Sequence, residues 1–274
     1  MYSVVDLHTH SSASDGQYAP QELVCLAKQH GLNVLALTDH DTLDGLGEAI
    51  LAGEQVGLHI LRGIELGALE HRNLHILGYG FSADAPHLSA FCQKMKQMRH
   101  ERKHRIISFL KEKNIHISLS EVEELAGTAP IGRPHFAQVM LRHGYVSTLR
   151  EAFDRYLDTE EYQQIDRFKE CARLCIETIH ADGGKVSFAH PYQLKMENAE
   201  LEKQLKELVS YGLDAIECYY PKHTPEQTAF YFSLAEKYGL HVTGGSDFHG
   251  ERVKPDISLT ATKLDLSWLG ISPQ

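Results

Sequence analysis

Short apolar runs rich in β-branched residues alternate along this chain with amphipathic stretches of helical period, and this alternation restricts the fold more than any other feature. Residues 4–7 read as a strand, and 20–30 as a helix opened by Pro20 and closed by Gly31. A second strand at 34–38 precedes a helix over 43–56, whose start Asp41 and Asp44 are expected to cap. Further strands are expected at 59–64, 74–77, 185–189, 214–218 and 241–244, with helices at 168–180, 197–211 and 225–238. Strands separated by helices of this length build βαβ units around a parallel sheet. Seven or so such units favour closure, so the expected fold class is α/β, a distorted TIM-like (β/α)7 barrel. The rhythm breaks from 85 to 166, where a long basic helix is followed by helices at 120–126 (behind Ser118 or Ser120), 134–143 and 149–157. The expected organisation is a barrel from 1–84 and 167–274, with 85–166 a helical insertion subdomain over the active-site mouth.

A chain of 274 residues is long enough for such a barrel to fold without disulfides or a structural metal. The five cysteines are scattered, and Cys171 and Cys175 stand four apart on one helix face, which reads as reduced core and not as a redox pair. No apolar run approaches the length of a membrane span, and MYSVVDLHTH lacks the basic and apolar regions of a leader, so a cytoplasmic location without membrane is expected. A net charge of −10 argues against coating nucleic acid by bulk electrostatics. One stretch runs the other way: between Lys94 and Lys113, eight Lys/Arg face two acidic residues.

The distribution of the 18 histidines points to chemistry. His8 and His10 are two apart on an extended run and share a face, with Asp15 in the Ser/Gly turn behind them. Asp39, His40 and Asp41 end the second strand, Glu65 ends the third, and His75 lies on the fourth. His190 follows KVSFA, and Asp247 and His249 follow HVTGG. In a barrel the C-terminal strand ends converge on one mouth. A single histidine at a strand end is ordinarily a hydrogen-bonded structural residue. His8, His10, Asp15, His40, Glu65, His75, His190, Asp247 and His249 converging together would repel one another and be costly to desolvate unless cations lay among them. Imidazole and carboxylate without thiolate suit Mn²⁺, Zn²⁺ or Fe²⁺, and nine ligands suffice for two or three ions.

The segments DLHTHSSASDG, LTDHDT, SFAHP and GSDFHG, with Glu65 and His75, resemble the PHP (polymerase and histidinol phosphatase) superfamily across residues 6–250. The resemblance implies a distorted (β/α)7 barrel with a trinuclear site, Mn²⁺ being the first expectation. His8, His10, Glu65 and Asp247 would hold one ion. Glu65, His75 and His190 would hold a second, with Glu65 bridging, and Asp15, His40 and His249 a third. Within the superfamily, IGRPHFAQ resembles a branch of 3′,5′-nucleoside bisphosphate phosphatases, some of which also degrade short 5′-phosphorylated RNA from the 5′ end.

The implied reaction is hydrolysis of a phosphate ester by attack of a metal-bound hydroxide. Glu65, His190, His249, Arg133 and His135 are the expected catalytic residues, and the substrate is a small nucleotide phosphate or an RNA end, with no protein partner inferred. Pro134 at a helix start leaves free N–H groups, and Arg133 and His135 beside them make an anion site. Arg99, Arg102 and Arg105, spaced by three, are expected on one helix stripe with these two as contacts of a second phosphate. Tyr192 is expected to line the pocket. The rival readings are a small-molecule phosphatase of the histidinol-phosphate type and a non-catalytic PHP module.

Overall fold

Ser3–Thr9 forms β1, buried along almost its whole length, and begins a chain that the structure, a computed structural model, describes over residues 3–127, 131–165 and 169–271. Pro20–Gln29 forms α1, with Pro20 in the first turn and the Glu22 carboxylate accepting from the Ala19 N–H (2.9 Å). Val34–Leu37 is β2 and Leu46–Val56 is α2, which ends on Gly57 in the left-handed conformation (φ 67°). His59–Gly67 is β3 and His75–Tyr79 is β4. The helices α3 (Pro86–Glu112), α4 (Leu119–Ala126), α5 (Arg133–Arg142), α6 (Leu149–Ala152) and α7 (Glu160–Ile165) follow, with a π-helical turn at Phe153–Leu157. The chain then runs through α8 (Ala172–Ala181), β5 (Lys185–Phe188), α9 (Asn198–Ser210), β6 (Ala215–Tyr219), α10 (Pro225–Tyr238), β7 (His241–Gly244) and β8 (Thr262–Leu264).

Two compact units make up the chain, one from 1–92 with 170–274 and the other from 93–169. The expected boundary at 166–167, and the start of the helix expected at 168, lie outside the described residues. The first unit is an α/β barrel whose eight strands run in the order β7-β6-β5-β4-β3-β2-β1-β8. Residues beyond β7 close it against β1: the Asp247 N–H donates to His8 O (2.8 Å) and the His10 N–H to Phe248 O (2.9 Å). Its apolar core includes Val5, Leu7, Val34, Leu61, Leu77 and Tyr79, all buried.

Two expectations need correction here. The sheet is not wholly parallel, because β4 pairs antiparallel with both β3 and β5, and β8, unforeseen in the sequence, pairs antiparallel with β1. A buried strand carries the same apolar pattern in either direction, so periodicity cannot report its sense. Asp41 and Asp44 do not cap α2, which starts later, behind Gly45 and without a side-chain cap. The Asp41 N–H is already committed to Glu65 O (3.0 Å), which ties this turn to β3 before the helix begins.

The second unit has its own apolar core, with Ile106, Phe109, Val122, Phe136, Met140 and Tyr162 buried. Ser118 caps α4 by accepting from the Glu121 N–H (3.3 Å), while the Glu121 carboxylate accepts in return from the Ser118 N–H (2.8 Å).

Candidate metal centre

A bulge in β1 sets the centre. Asp6 pairs with Leu35 and Thr9 with Leu37, so β1 carries one more residue than its partner over this stretch. Leu7 therefore joins the interior apolar cluster, while the next residue, His8, turns its ring to Glu65. His10 follows on the same side by the two-residue period. Close approach of chain to chain completes the wall. A Cβ on Gly245 would lie 2.5 Å from His8 N and 2.3 Å from its Cβ, so only glycine lets the segment beyond β7 lie against β1. His75 is the first residue of β4, yet the antiparallel register opposite Gly67 brings it to the end where β3 finishes.

Glu65 stands at the middle, fully buried. Its Oε1 lies 2.7 Å from His75 Nδ1 and 3.0 Å from His190 Nε2. Its Oε2 lies 3.2 Å from His8 Nε2, 3.1 Å from His10 Nε2 and 3.2 Å from His40 Nδ1. Asp247 Oδ1 sits 3.6 Å from His8 Nε2 and 3.4 Å from His10 Nε2, closing a four-residue group. Beside it His10, Asp15, His40 and His249 form a looser group, with Asp15 Oδ1 3.3 Å from His249 Nε2 and 3.7 Å from His10 Nδ1. His40, Glu65 and His75 make a third group that shares Glu65 with the first. The structure thus brings together all nine residues singled out in the sequence.

These spacings suit cations. An ion about 2.1 Å from each ligand sets neighbouring ligand atoms roughly 3.0–3.4 Å apart. Nε2 of His8, Nε2 of His10 and Glu65 Oε2 meet that spacing, and they are buried without hydrogen-bond partners. Groups so placed are costly to bury unless something positive lies among them. Burial opposes the imidazolium of His8, but Glu65, Glu217 and Asp247 outweigh it and hold its pKa well above the ordinary value.

Four residues with no role in the sequence reading support the centre. Glu217 on β6, fully buried, meets His8 Nδ1 at 3.1 Å. Lys254 Nζ (2.7 Å) and Tyr220 Oη (3.0 Å) both donate to Asp247 Oδ2, leaving Oδ1 toward the histidines. Asp39 accepts from Ser11 N–H and Oγ–H (2.7 Å each) and from Ser14 Oγ–H (2.6 Å), which pins the turn carrying Asp15. The acid inside the apolar run AIECY was a visible signal for Glu217; nothing local pointed to Lys254. Tyr192 packs on Tyr220, ring centroids 5.4 Å apart.

The residues expected to bind phosphate lie in the second unit. Arg102 is buried and donates to Tyr162 Oη (3.3 Å), whereas Arg99 and Arg105 are exposed. The three do not form one stripe, because each step of three falls 60° short of a full turn at 100° per residue. At the start of α5 the His135 ring folds back, its Nδ1 accepting from the Gly132 N–H (2.9 Å). Arg133 donates to Asp158 and to Leu157 O (3.3 Å), so it is already paired, and the site is less open to an anion than the sequence suggested.

Known proteins resemble this chain over most of their length. A "5'-3' exoribonuclease" of Haemophilus influenzae is 35% identical over 245 residues, 89% of each chain. A "phosphoribosyl 1,2-cyclic phosphate 1,2-diphosphodiesterase" of Eggerthella lenta is 32% identical over 90% of this chain and 95% of its own. A "3',5'-nucleoside bisphosphate phosphatase" of Chromobacterium violaceum is 29% identical over 89% of this chain and 87% of its own. Among solved structures, an amidohydrolase from Chromobacterium violaceum, with bound sulfate and no metal, superposes with a TM-score of 0.72 at 27% identity, covering 95% of this chain and 91% of that one. The PHP domain family matches residues 6–238, a span that takes in seven of the nine clustered side chains, and the chain belongs to that family.

Proposed function

We propose that this chain is a metal-dependent phosphoesterase that removes phosphate from nucleoside 3′,5′-bisphosphates and acts on short 5′-phosphorylated RNA. The observation that carries the reading is Glu65, one buried carboxylate whose two oxygens each face a separate set of imidazole nitrogens within 3.2 Å. That is the disposition of a bridging ligand. His8, His10, Glu65 and Asp247 would hold one divalent ion and Glu65, His75 and His190 a second. Asp15, His40 and His249 would hold a third, with Mn²⁺ the first choice and Zn²⁺ or Fe²⁺ the alternatives. Such ions lower the pKa of water and neutralise phosphoryl oxygens.

The chain's own residues prepare that chemistry. Tyr220 and Lys254 hold Asp247 by one oxygen, and Asp39 orders the turn that presents Asp15. His190 and His249 are the proposed groups for handling protons, and Arg133 and His135 the proposed complement to phosphoryl charge. The second phosphate of a bisphosphate needs cations of its own, and the exposed Arg99 and Arg105, together with Arg133 and His135, are the proposed contacts, Arg102 being buried against Tyr162. Three relatives named for phosphate-ester hydrolysis support the class of reaction, and two of them its nucleotide or RNA substrates. A cytoplasmic location is proposed on the scattered, odd-numbered cysteines of the sequence, and among the described residues no helix is long and apolar enough to cross a membrane.

The test is a hydrolysis panel with Mn²⁺-loaded, metal-analysed protein. It compares a nucleoside 3′,5′-bisphosphate, a short 5′-phosphorylated RNA, a phosphoribosyl 1,2-cyclic phosphate and histidinol phosphate. The first two are expected to show the highest kcat/KM. Preference for histidinol phosphate or the cyclic ester would replace the proposed substrate. No turnover of any, with metal bound, would leave a non-catalytic module.

A further inference from the structure

Glu217 lies at the centre of β6 with no exposed surface, a carboxyl group deep in an apolar strand. Its two oxygens reach two different parts of the metal centre. Oε1 is 3.1 Å from His8 Nδ1, and Oε2 accepts from the backbone N–H of His190 at 2.7 Å. We propose that Glu217 is a positioning residue that readies one ligand from each of two metal groups, His8 and His190. The inference rests on the metal-centre reading above.

The argument for His8 is one of tautomers. A carboxylate only accepts, so the contact at Nδ1 calls for a proton there. A ring that ligates an ion must be neutral, and its lone pair is then left on Nε2, which is the atom that faces Glu65 Oε2 (3.2 Å) and Asp247 Oδ1 (3.6 Å). Nε2 is also buried without a hydrogen-bond partner, as a nitrogen reserved for a cation would be.

The argument for His190 is one of backbone. This residue has φ 26° and ψ 64°, in the left-handed region that a side chain disfavours, at the entrance to the short 3-10 turn Pro191–Leu194. Its amide is tied to Glu217, and its ring then places Nε2 3.0 Å from Glu65 Oε1. Both demands on Glu217 are for acceptors. A carboxylate supplies two, whereas an amide of the same shape supplies one acceptor and one donor. In Glu217→Gln the NH₂ must face either the His190 N–H, donor against donor, or His8 Nδ1. The second choice forces the proton to His8 Nε2 and blocks the ligating lone pair.

The experiment titrates chelator-stripped protein with Mn²⁺ by calorimetry, confirms stoichiometry by elemental analysis, and records the melting temperature of the stripped forms. Glu217→Gln is expected to weaken Mn²⁺ binding roughly tenfold to a hundredfold, while the stripped variant still melts cooperatively. Glu217→Asp keeps two acceptors but retracts them by one methylene, so it weakens binding less. Wild-type affinity in Glu217→Gln overturns the proposal, and a lowered melting temperature with unchanged affinity does so too, because the role is then structural alone. If Glu217→Gln does not fold, wild-type affinity in folded Glu217→Asp overturns it. If the wild type itself takes up no Mn²⁺, it is the metal-centre reading that fails.

Discussion

Burial alone would drive the Glu65 carboxyl toward its neutral form. The imidazoles of His40, His8 and His75 outweigh that effect and hold it well below the usual carboxylate range. The influence is mutual: burial works against charge on His10, yet Asp247 and Glu65 push its pKa up to about 9. Charge on Glu65 is thus the feature around which its neighbours are arranged, and Glu65→Gln removes it at constant shape. The amide would also turn an NH₂ toward imidazole nitrogens on one of its two sides. At least one divalent ion per chain should be lost, with affinity reduced by more than about a hundredfold, beyond what outer contacts typically cost. Hydrolysis should fall with it. Elemental analysis of the purified variant checks the point, and full metal content with unaltered kcat would move the bridge elsewhere.

Elements matter here through how they begin and end. The long helix α3 opens at Pro86, and its first amides are met not by a local cap but by Asp182, just past the end of α8. Asp182 Oδ2 accepts from the Leu88 N–H (2.8 Å), and Oδ1 from the His87 N–H (3.2 Å) and ring Nδ1 (2.7 Å). Burial opposes the Asp182 anion, but these donors prevail and hold its pKa below the ordinary value. A depressed carboxyl pKa adds stability above the unfolded value, about 3.9, and that stability disappears as pH falls through the folded value. Asp182→Ala should therefore cost about 0.5–2 kcal/mol near pH 7, the range for a lost cap. The difference from wild type should shrink as the pH drops below about 4. Denaturant melts at pH 7 and at pH 3 test this, and an equal difference at both would show that the carboxylate's charge is not what matters.

At the scale of the whole molecule, the centre draws on residues from every part of the barrel unit. His8 and Asp247 are 239 positions apart, yet they face the same group, and the unit closes through the hydrogen bonds beside them. Ions bound there would hold β1, β3, β4 and the segment beyond β7 to one another, and the unfolded chain offers no such cluster. At a free Mn²⁺ concentration about a hundred times Kd, binding to the folded state alone adds about 2.7 kcal/mol. For a chain of this size that corresponds to a melting temperature roughly 5–10 °C above that of the chelated protein. Thermal scans with and without Mn²⁺ measure the shift. No change on adding Mn²⁺, in protein shown to contain it, would mean that the ions do not couple to folding.

Much of the site was legible because its signals are local. The two-residue period put His8 and His10 on one face, and acids and histidines closing successive apolar runs marked one mouth before any strand was placed. Helix starts at Pro20 and Pro225 were equally plain, since proline in the first turn is a local preference. What depended on partners was not legible. The sense of β4 and the pairing of β8 are set by which neighbours bury their faces, and an apolar strand reads alike in both directions. The extra residue in β1 appears only against the register of β2. Glu217 contacts His8 from 209 residues away, Asp182 caps a helix from 94 away, and Arg102 is buried against Tyr162 instead of sharing a stripe with Arg99 and Arg105. The amino-acid sequence by itself determined which side chains could ligate and which faces had to be buried. Tertiary structure alone decided which of those groups meet, because strand register, direction and closure depend on residues far apart along the chain.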